Sequence, residues 1–170
     1  MIRQAKEMEV GEILRIARAC GAAMRARGIF QWNEAYPTQA AFLNDLARGE
    51  LWVFDPGSGP VACLALSDHM DAEYKAVRWE TPDSGARYVH RLAVDPEFQR
   101  KGLGGSLMDF AEKHARSQGA GSMRLDTFSR NEGNQRFYER RGYKRLGAVY
   151  FPNQSAYPFY CYERALRSLW

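Results

Sequence analysis

The chain has 170 residues, 45% of them hydrophobic and 26% charged, with a net charge of +4, which suits a single globular domain able to bury a core. No apolar run approaches the length of a membrane span, and the N-terminus MIRQAKEMEV lacks the apolar stretch of a secretory leader. The three cysteines, Cys20, Cys63 and Cys161, are odd in number, far apart and free of C-x-x-C spacing, which argues for reduced thiols in a cytoplasmic protein and against a zinc site.

In chain order, Ile2–Ala5 is compatible with a short strand. Ile13, Ile16, Ala17, Cys20 and Met24 then recur at helical spacing, with Arg15, Arg18, Arg25 and Arg27 on other faces, and Gly28 ends that helix. The loop IFQWNEAYP follows. Thr38 is placed to cap a second helix through Leu46, stopped near Gly49. LWVFD and VACLALSD flank DPGSGP and predict an antiparallel hairpin. Residues 69–86 are polar and irregular, the composition of a mobile loop. RYVHRLAV is the strongest strand signal, closed by Asp95-Pro96. A helix is expected from about Gly102 to Ser117, with Leu103, Leu107, Phe110, Ala111 and His114 on one stripe. SMRLDTF predicts a strand, Asn131 caps a short helix to Arg141 that Gly142 ends, and YKRLGAVYF and PFYCYERAL supply two last strands. The sum is one α/β domain over residues 1–170, with a mixed sheet and a βαβ-like core around residues 87–127.

Positive charge is uneven. Between Glu97 and Arg145 lie eleven Lys/Arg and six Asp/Glu, an excess of five, so the rest of the chain is net −1. Residue by residue, such a run is ordinarily a set of solvated faces; as a region, it suits an anion site. Within it sits FQRKGLGGS, residues 98–106, directly after the strongest strand and opening a helix. Glycine inside a helix costs roughly 1 kcal/mol relative to alanine, so three of them invite a reason. A helix start offers unpaired N–H groups and partial positive charge, and glycines at 102, 104 and 105 let an oxyanion approach bare backbone. Spacing excludes the better-known phosphate loops. No Gly-Lys-Ser/Thr follows, and Gly102 and Gly104 are succeeded by Leu107 where a dinucleotide loop has a third glycine.

Gln99-Arg100-Lys101-Gly102-Leu103-Gly104 resembles the Q/R-x-x-G-x-G/A signature of the GNAT superfamily of acyl-CoA-dependent N-acetyltransferases. The preceding RLAVDPEF and the following GSLMDFAEKHA match its strand, turn and helix. A second block, Asn131-Glu132-Gly133-Asn134-Gln135-Arg136-Phe137-Tyr138 and then Gly142-Tyr143, is similar to the family's N-x-x-A-x-x-F/L-Y-x-x-x-G-F/Y helix, departing at Asn134, where alanine is usual. QWNEAYP also looks like a feature of some bacterial members. The resemblance implies a twisted mixed sheet of about seven strands, flanked by about four helices, with two central strands splayed to admit a pantetheine arm.

It also implies acetyl-CoA as co-substrate and no metal. Leu92, Ala93 and Val94 would offer backbone groups to the pantetheine amides. Gln99, Arg100, Lys101, Gly102, Leu103, Gly104, Gly105 and Ser106 would hold the pyrophosphate, and Asn131, Phe137 and Tyr138 would flank the arm. Tyr138 is nominated as general acid, since a phenol with an ordinary pKa near ~10 stays protonated and can donate to a leaving thiolate; periodicity alone makes it equally a core aromatic. His90 is a candidate base, with a water chain as the alternative carrier of the proton and Glu80 and Glu34 as weaker candidates, while His114 belongs to the helix stripe. Trp32 and Tyr36 are candidate acceptor contacts or core plugs.

The acceptor implied is a small-molecule or peptide amine, with neither nucleic acid nor membrane as partner and a homodimer left open. A non-catalytic CoA-binding sensor of the same fold is the alternative. A nucleic-acid binder has only the pI of 9.0 in its favour, without an RNP pattern or helix-turn-helix.

Overall fold

A computed structural model describes residues 1–166. Two compact units divide it, residues 1–66 with 90–111 and residues 67–89 with 112 onward.

In the first unit, β1 (Ile2–Gln4), β2 (Leu51–Phe54) and β3 (Ala62–Ser67) form an antiparallel ladder, with Arg3 opposite Val53 and Val53 opposite Cys63. The hairpin loop between β2 and β3 closes on Asp55, whose carboxylate accepts from Gly57 N at 2.7 Å, Gly59 N at 2.9 Å and Arg3 at 2.7 Å. Helix α1 (Val10–Ala26) buries Val10, Ile13, Ile16, Ala17, Cys20, Gly21 and Met24, the stripe that helical periodicity predicted. Those side chains share a core with Trp32, Phe42, Leu51, Val53, Cys63 and Ala93, and each aliphatic group wholly withdrawn from water contributes roughly 1.5–3 kcal/mol. Helix α2 (Gln39–Ala47) starts where Thr38 accepts from Ala41 N at 3.1 Å.

In the second unit, β4 (Ala86–Val94) lies parallel to β5 (Ser122–Phe128), with Ala86 opposite Ser122 and Tyr88 opposite Arg124. The crossover between them is α3 (Leu103–Ser117), the predicted βαβ core; β4 and α3 each run through both units. β5 pairs antiparallel with β7 (Phe159–Ala165) along its whole length, and β6 (Lys144–Val149) pairs with β7 on the other side, with an irregularity between Arg145 and Gly147. Helix α4 (Glu132–Arg140) begins at Asn131, whose Oδ1 accepts from Asn134 N at 3.1 Å. The strand order is β1-β2-β3-β4-β5-β7-β6, so the expected mixed sheet of seven strands with four helices is present among the described residues.

One expectation needs correcting. Residues 69–86 are no slack loop. A short 3-10 turn, Ala72–Ala76, buries Tyr74 completely, and Trp79 donates to the Tyr74 carbonyl at 2.9 Å. Arg124 of β5 donates to Thr81 O and to Asp83 at 2.7 Å each, with its guanidinium 4.4 Å from the centre of the Trp79 ring. The sequence hides these anchors because their partners stand about forty residues away.

Candidate active site

The glycine stretch belongs to the first unit. Its base is fixed by Asp95, which accepts from Glu97 N at 3.1 Å and from Arg15 at 2.7 Å. Although burial works the other way, those two donors hold the Asp95 carboxyl below its usual range. Beyond this anchor the chain turns into helix α3 through two left-handed residues, Arg100 at φ +64° and Gly102 at φ +79°. No heavy atom lies within 4 Å of where a Gly102 side chain would begin, so backbone here faces open space. Gln99, Arg100 and Lys101 are exposed; Gln99 donates to the Val94 carbonyl at 3.0 Å and Lys101 sits 5.2 Å over the Phe98 ring. Gly102 O accepts the Ser106 N–H at 3.0 Å, which leaves the preceding helical N–H groups of Leu103, Gly104 and Gly105 without an intrahelical acceptor. A 15-residue helix behind them adds its dipole. The stretch thus combines bare backbone, a helix start and flanking cations.

On β4, Leu92 and Val94 are half-buried and Ala93 is buried. The Val94 carbonyl is already engaged, by Gln99 and by Cys20 Sγ at 2.9 Å. Arg91, which drew no attention in the sequence, sits at φ +53°, a conformation few non-glycine residues adopt and one that costs on the order of 1–3 kcal/mol. It is held there by a two-pronged ion pair with Asp45, at 2.6 and 2.7 Å, and by the Tyr36 hydroxyl, which accepts at 2.9 Å. His90 itself is half-buried, and desolvation, helped by the Arg91 charge, lowers its pKa to about 4. It is neutral at pH 7.

Trp32 and Tyr36 both join the core of this unit. Trp32 is 7% exposed, and Tyr36 packs against the same cluster while tying its loop to Arg91. Of the weaker base candidates, Glu34 is exposed on that loop, whereas Glu80 pairs with Lys144 at 2.7 Å. His114 is half-buried on α3, as its stripe implied.

The second unit holds the other motif block. Asn131 is buried as the cap of α4, and Phe137 is half-buried, 5.0 Å edge-on from Tyr138. Tyr138 is 6% exposed, ringed by Phe137, Tyr143 and Tyr162. Desolvation, reinforced by the Asp126 charge, raises its pKa well above the ordinary phenol value. Its hydroxyl makes no hydrogen bond among the described residues and is not one of the buried polar atoms left without a partner. Asn134, the departure from the family pattern, donates to Thr127 Oγ1 at 3.3 Å. The end of α4 is locked by Glu112, 4% exposed, which accepts from Tyr143 OH at 2.7 Å, Arg141 at 2.8 Å and Arg164 at 2.9 Å. Glu112, like Asp45 and Arg91, escaped sequence reasoning; its one signal was a carboxylate on the apolar side of α3.

Comparisons with known proteins converge on one family. The acetyltransferase (GNAT) family model matches residues 13–143. The uncharacterized N-acetyltransferase YesJ of Bacillus subtilis is 27% identical over 128 residues, 74% of this chain and 71% of that protein. The mycothiol acetyltransferase of Beutenbergia cavernae is 32% identical over 113 residues, which are 64% of this chain but only 36% of the length of that protein. Among solved structures, a GNAT-family acetyltransferase from Streptococcus agalactiae has a TM-score of 0.82 at 23% identity, covering 97% of this chain and 94% of the other. The PaiA N-acetyltransferase of Thermoplasma acidophilum, solved in complex with coenzyme A, has a TM-score of 0.72 at 19% identity, covering 97% and 98%. At these identities the structural likeness concerns the fold.

Proposed function

Because the chain belongs to the GNAT family of acetyltransferases and is an acyltransferase, we propose that it moves an acetyl group from acetyl-CoA to a primary amine of a small molecule or peptide by direct attack, with Tyr138 as general acid. Residues 1–170 are read as one N-acetyltransferase domain. Acetyl-CoA supplies an activated thioester. The residues present fit it. Open backbone at Gly102, the N–H groups of Leu103, Gly104 and Gly105, and the exposed Gln99, Arg100 and Lys101 suit a pyrophosphate. Leu92 to Val94, Asn131 and Phe137 are assigned to the pantetheine arm, between strands that the family splays for it; coenzyme A in the Thermoplasma relative supports this reading.

Transfer forms a C–N bond and breaks a C–S bond, so the amine sheds one proton and the sulfur takes one. Tyr138 gives the proton to sulfur. The observation that carries this role is a buried phenol, its pKa raised and its hydroxyl without a hydrogen bond among the described residues: it holds its proton at neutral pH and has nothing else to donate to. His90, neutral but with a pKa of about 4, is a weak acceptor, which assigns it to relaying the amine's proton to water rather than keeping it. Unpaired buried cysteines at 20, 63 and 161 accord with a cytoplasmic setting.

The test is thiol release from acetyl-CoA across a panel of amines, beside titration with coenzyme A. Wild-type turnover by Tyr138→Phe would remove Tyr138 from the mechanism. Coenzyme A binding without thiol release on any amine would favour the sensor.

A further inference from the structure

The first unit carries a polar cavity that the acetyl-transfer chemistry has not used. It has a volume of about 360 Å³ and is lined by Arg18 and Arg25 of α1 and by Asn33 and Glu34 of the following loop. Cavities that hold small molecules run from roughly 300 to 1,000 Å³. The two arginines stand seven residues apart on one helix, two turns along the same face.

Three features build this cavity. Gly21 lies on α1 between the arginines, where glycine weakens a helix by roughly 1 kcal/mol. A side chain there would begin 3.3 Å from Arg25 Nη1, 3.5 Å from Trp32 Cβ and 3.6 Å from Trp32 O. Glycine thus lets the Arg25 guanidinium fold back against the helix, where Nη1 donates to Trp32 O at 3.0 Å and its other nitrogens remain for a ligand. The loop is stiffened in turn. Asn33 and Tyr36 exchange backbone hydrogen bonds at 3.1 and 3.3 Å, and Ala35 N donates to Asn33 Oδ1 at 2.7 Å, with Glu34 exposed between them. Arg18 is exposed, and among the described residues neither it nor Glu34 forms an ion pair or hydrogen bond.

Resting on the acetyltransferase reading, we infer that this cavity selects an acceptor bearing a carboxylate as well as its amine: a free amino acid or the C-terminal residue of a short peptide. Two guanidiniums offer the forked donors a carboxylate accepts, and Glu34 faces a cationic part of the same molecule. The lining sums to one net positive charge, which suits a monoanion with a cationic end. A phosphate dianion would meet Glu34 with like charge and is disfavoured. Arg18 is a specificity residue and takes no part in the bond-making step.

The experiment compares free L-amino acids with their C-terminal amides as acceptors, reading KM and kcat from thiol release, and repeats the comparison in Arg18→Gln. Since Arg18 is exposed and unpartnered, this variant keeps the wild-type melting temperature. Wild type should show KM at least about tenfold lower for an acid than for its amide at similar kcat, and Arg18→Gln should collapse that ratio toward one. Equal KM values for acid and amide, turnover confined to amines lacking a carboxylate, or a ratio unmoved by Arg18→Gln would each overturn the inference. Isothermal titration with the same amino acids, without acetyl-CoA, separates the two readings. If no amine is acetylated and coenzyme A does not bind, the acetyltransferase reading fails; amino-acid binding lost in Arg18→Gln would still uphold the cavity's role, and no binding would end it.

Discussion

Residues 95–106 and residues 131–143 both carry family motifs, yet they are built in opposite ways. The first segment is anchored at Asp95 and by Gln99 on the Val94 carbonyl, and presents backbone and exposed cationic side chains to open space. The second is held by side chains throughout: the Asn131 cap, Gln135 on the carbonyls of Phe128 and Ser129, and Glu112 gathering Arg141, Tyr143 and Arg164. On the proposed reading, a segment that binds a large flexible anion needs accessible donors, and a segment that holds one proton donor needs a fixed position. Substitutions should therefore weaken binding in the first and stability in the second, and departures from that rule would break the contrast.

The largest effect on stability is expected at Glu112→Ala. It leaves two arginines and a buried hydroxyl without their shared acceptor, a loss of about 3 kcal/mol, because Arg164 keeps some contact with water. For a chain of this size that is a fall in Tm of roughly 6–12 °C, checked by calorimetry. Next comes a control outside both segments. Folded His90 titrates near 4, below its ordinary 6.5, so between those values the unfolded chain binds more protons and stability rises with pH, levelling above 6.5. Wild type should therefore lose about 1–2 kcal/mol more than His90→Gln between pH 7 and pH 5, read from urea midpoints. Gly102→Ala should cost about 1 kcal/mol, purely from the left-handed backbone since nothing crowds the site, and should weaken coenzyme A binding in titration calorimetry. The smallest change in stability, within about 0.5 kcal/mol, belongs to Lys101→Ala, which should still weaken coenzyme A several-fold, more at low salt than at high.

Most elements were legible because their signals are local. Helical spacing gave α1, Thr38 and Asn131 marked helix starts through the hydrogen bonds they make, and the glycine spacing at 102–105 separated this loop from nucleotide loops. What stayed hidden depends on partners distant in sequence. Arg91, with its left-handed backbone, is clamped by Asp45, 46 positions away, and by the Tyr36 hydroxyl. Arg124 is wholly buried, although it is a charged residue in a strand, because Glu163, Asp83 and Thr81, far off in sequence, accept its hydrogen bonds. Trp32 illustrates the limit for function: an aromatic in a motif-like loop serves the core, while the neighbouring polar residues line the cavity.

The proposed transfer turns on Tyr138, and the most direct measurement pairs two readings on Tyr138→Phe: the dissociation constant for coenzyme A, and kcat for thiol release with the best acceptor of a panel. Loss of a proton donor without loss of a hydrogen bond predicts an unchanged melting temperature, an unchanged coenzyme A affinity and a kcat lower by about a hundredfold. A variant that binds coenzyme A normally and turns over at the wild-type rate would contradict it.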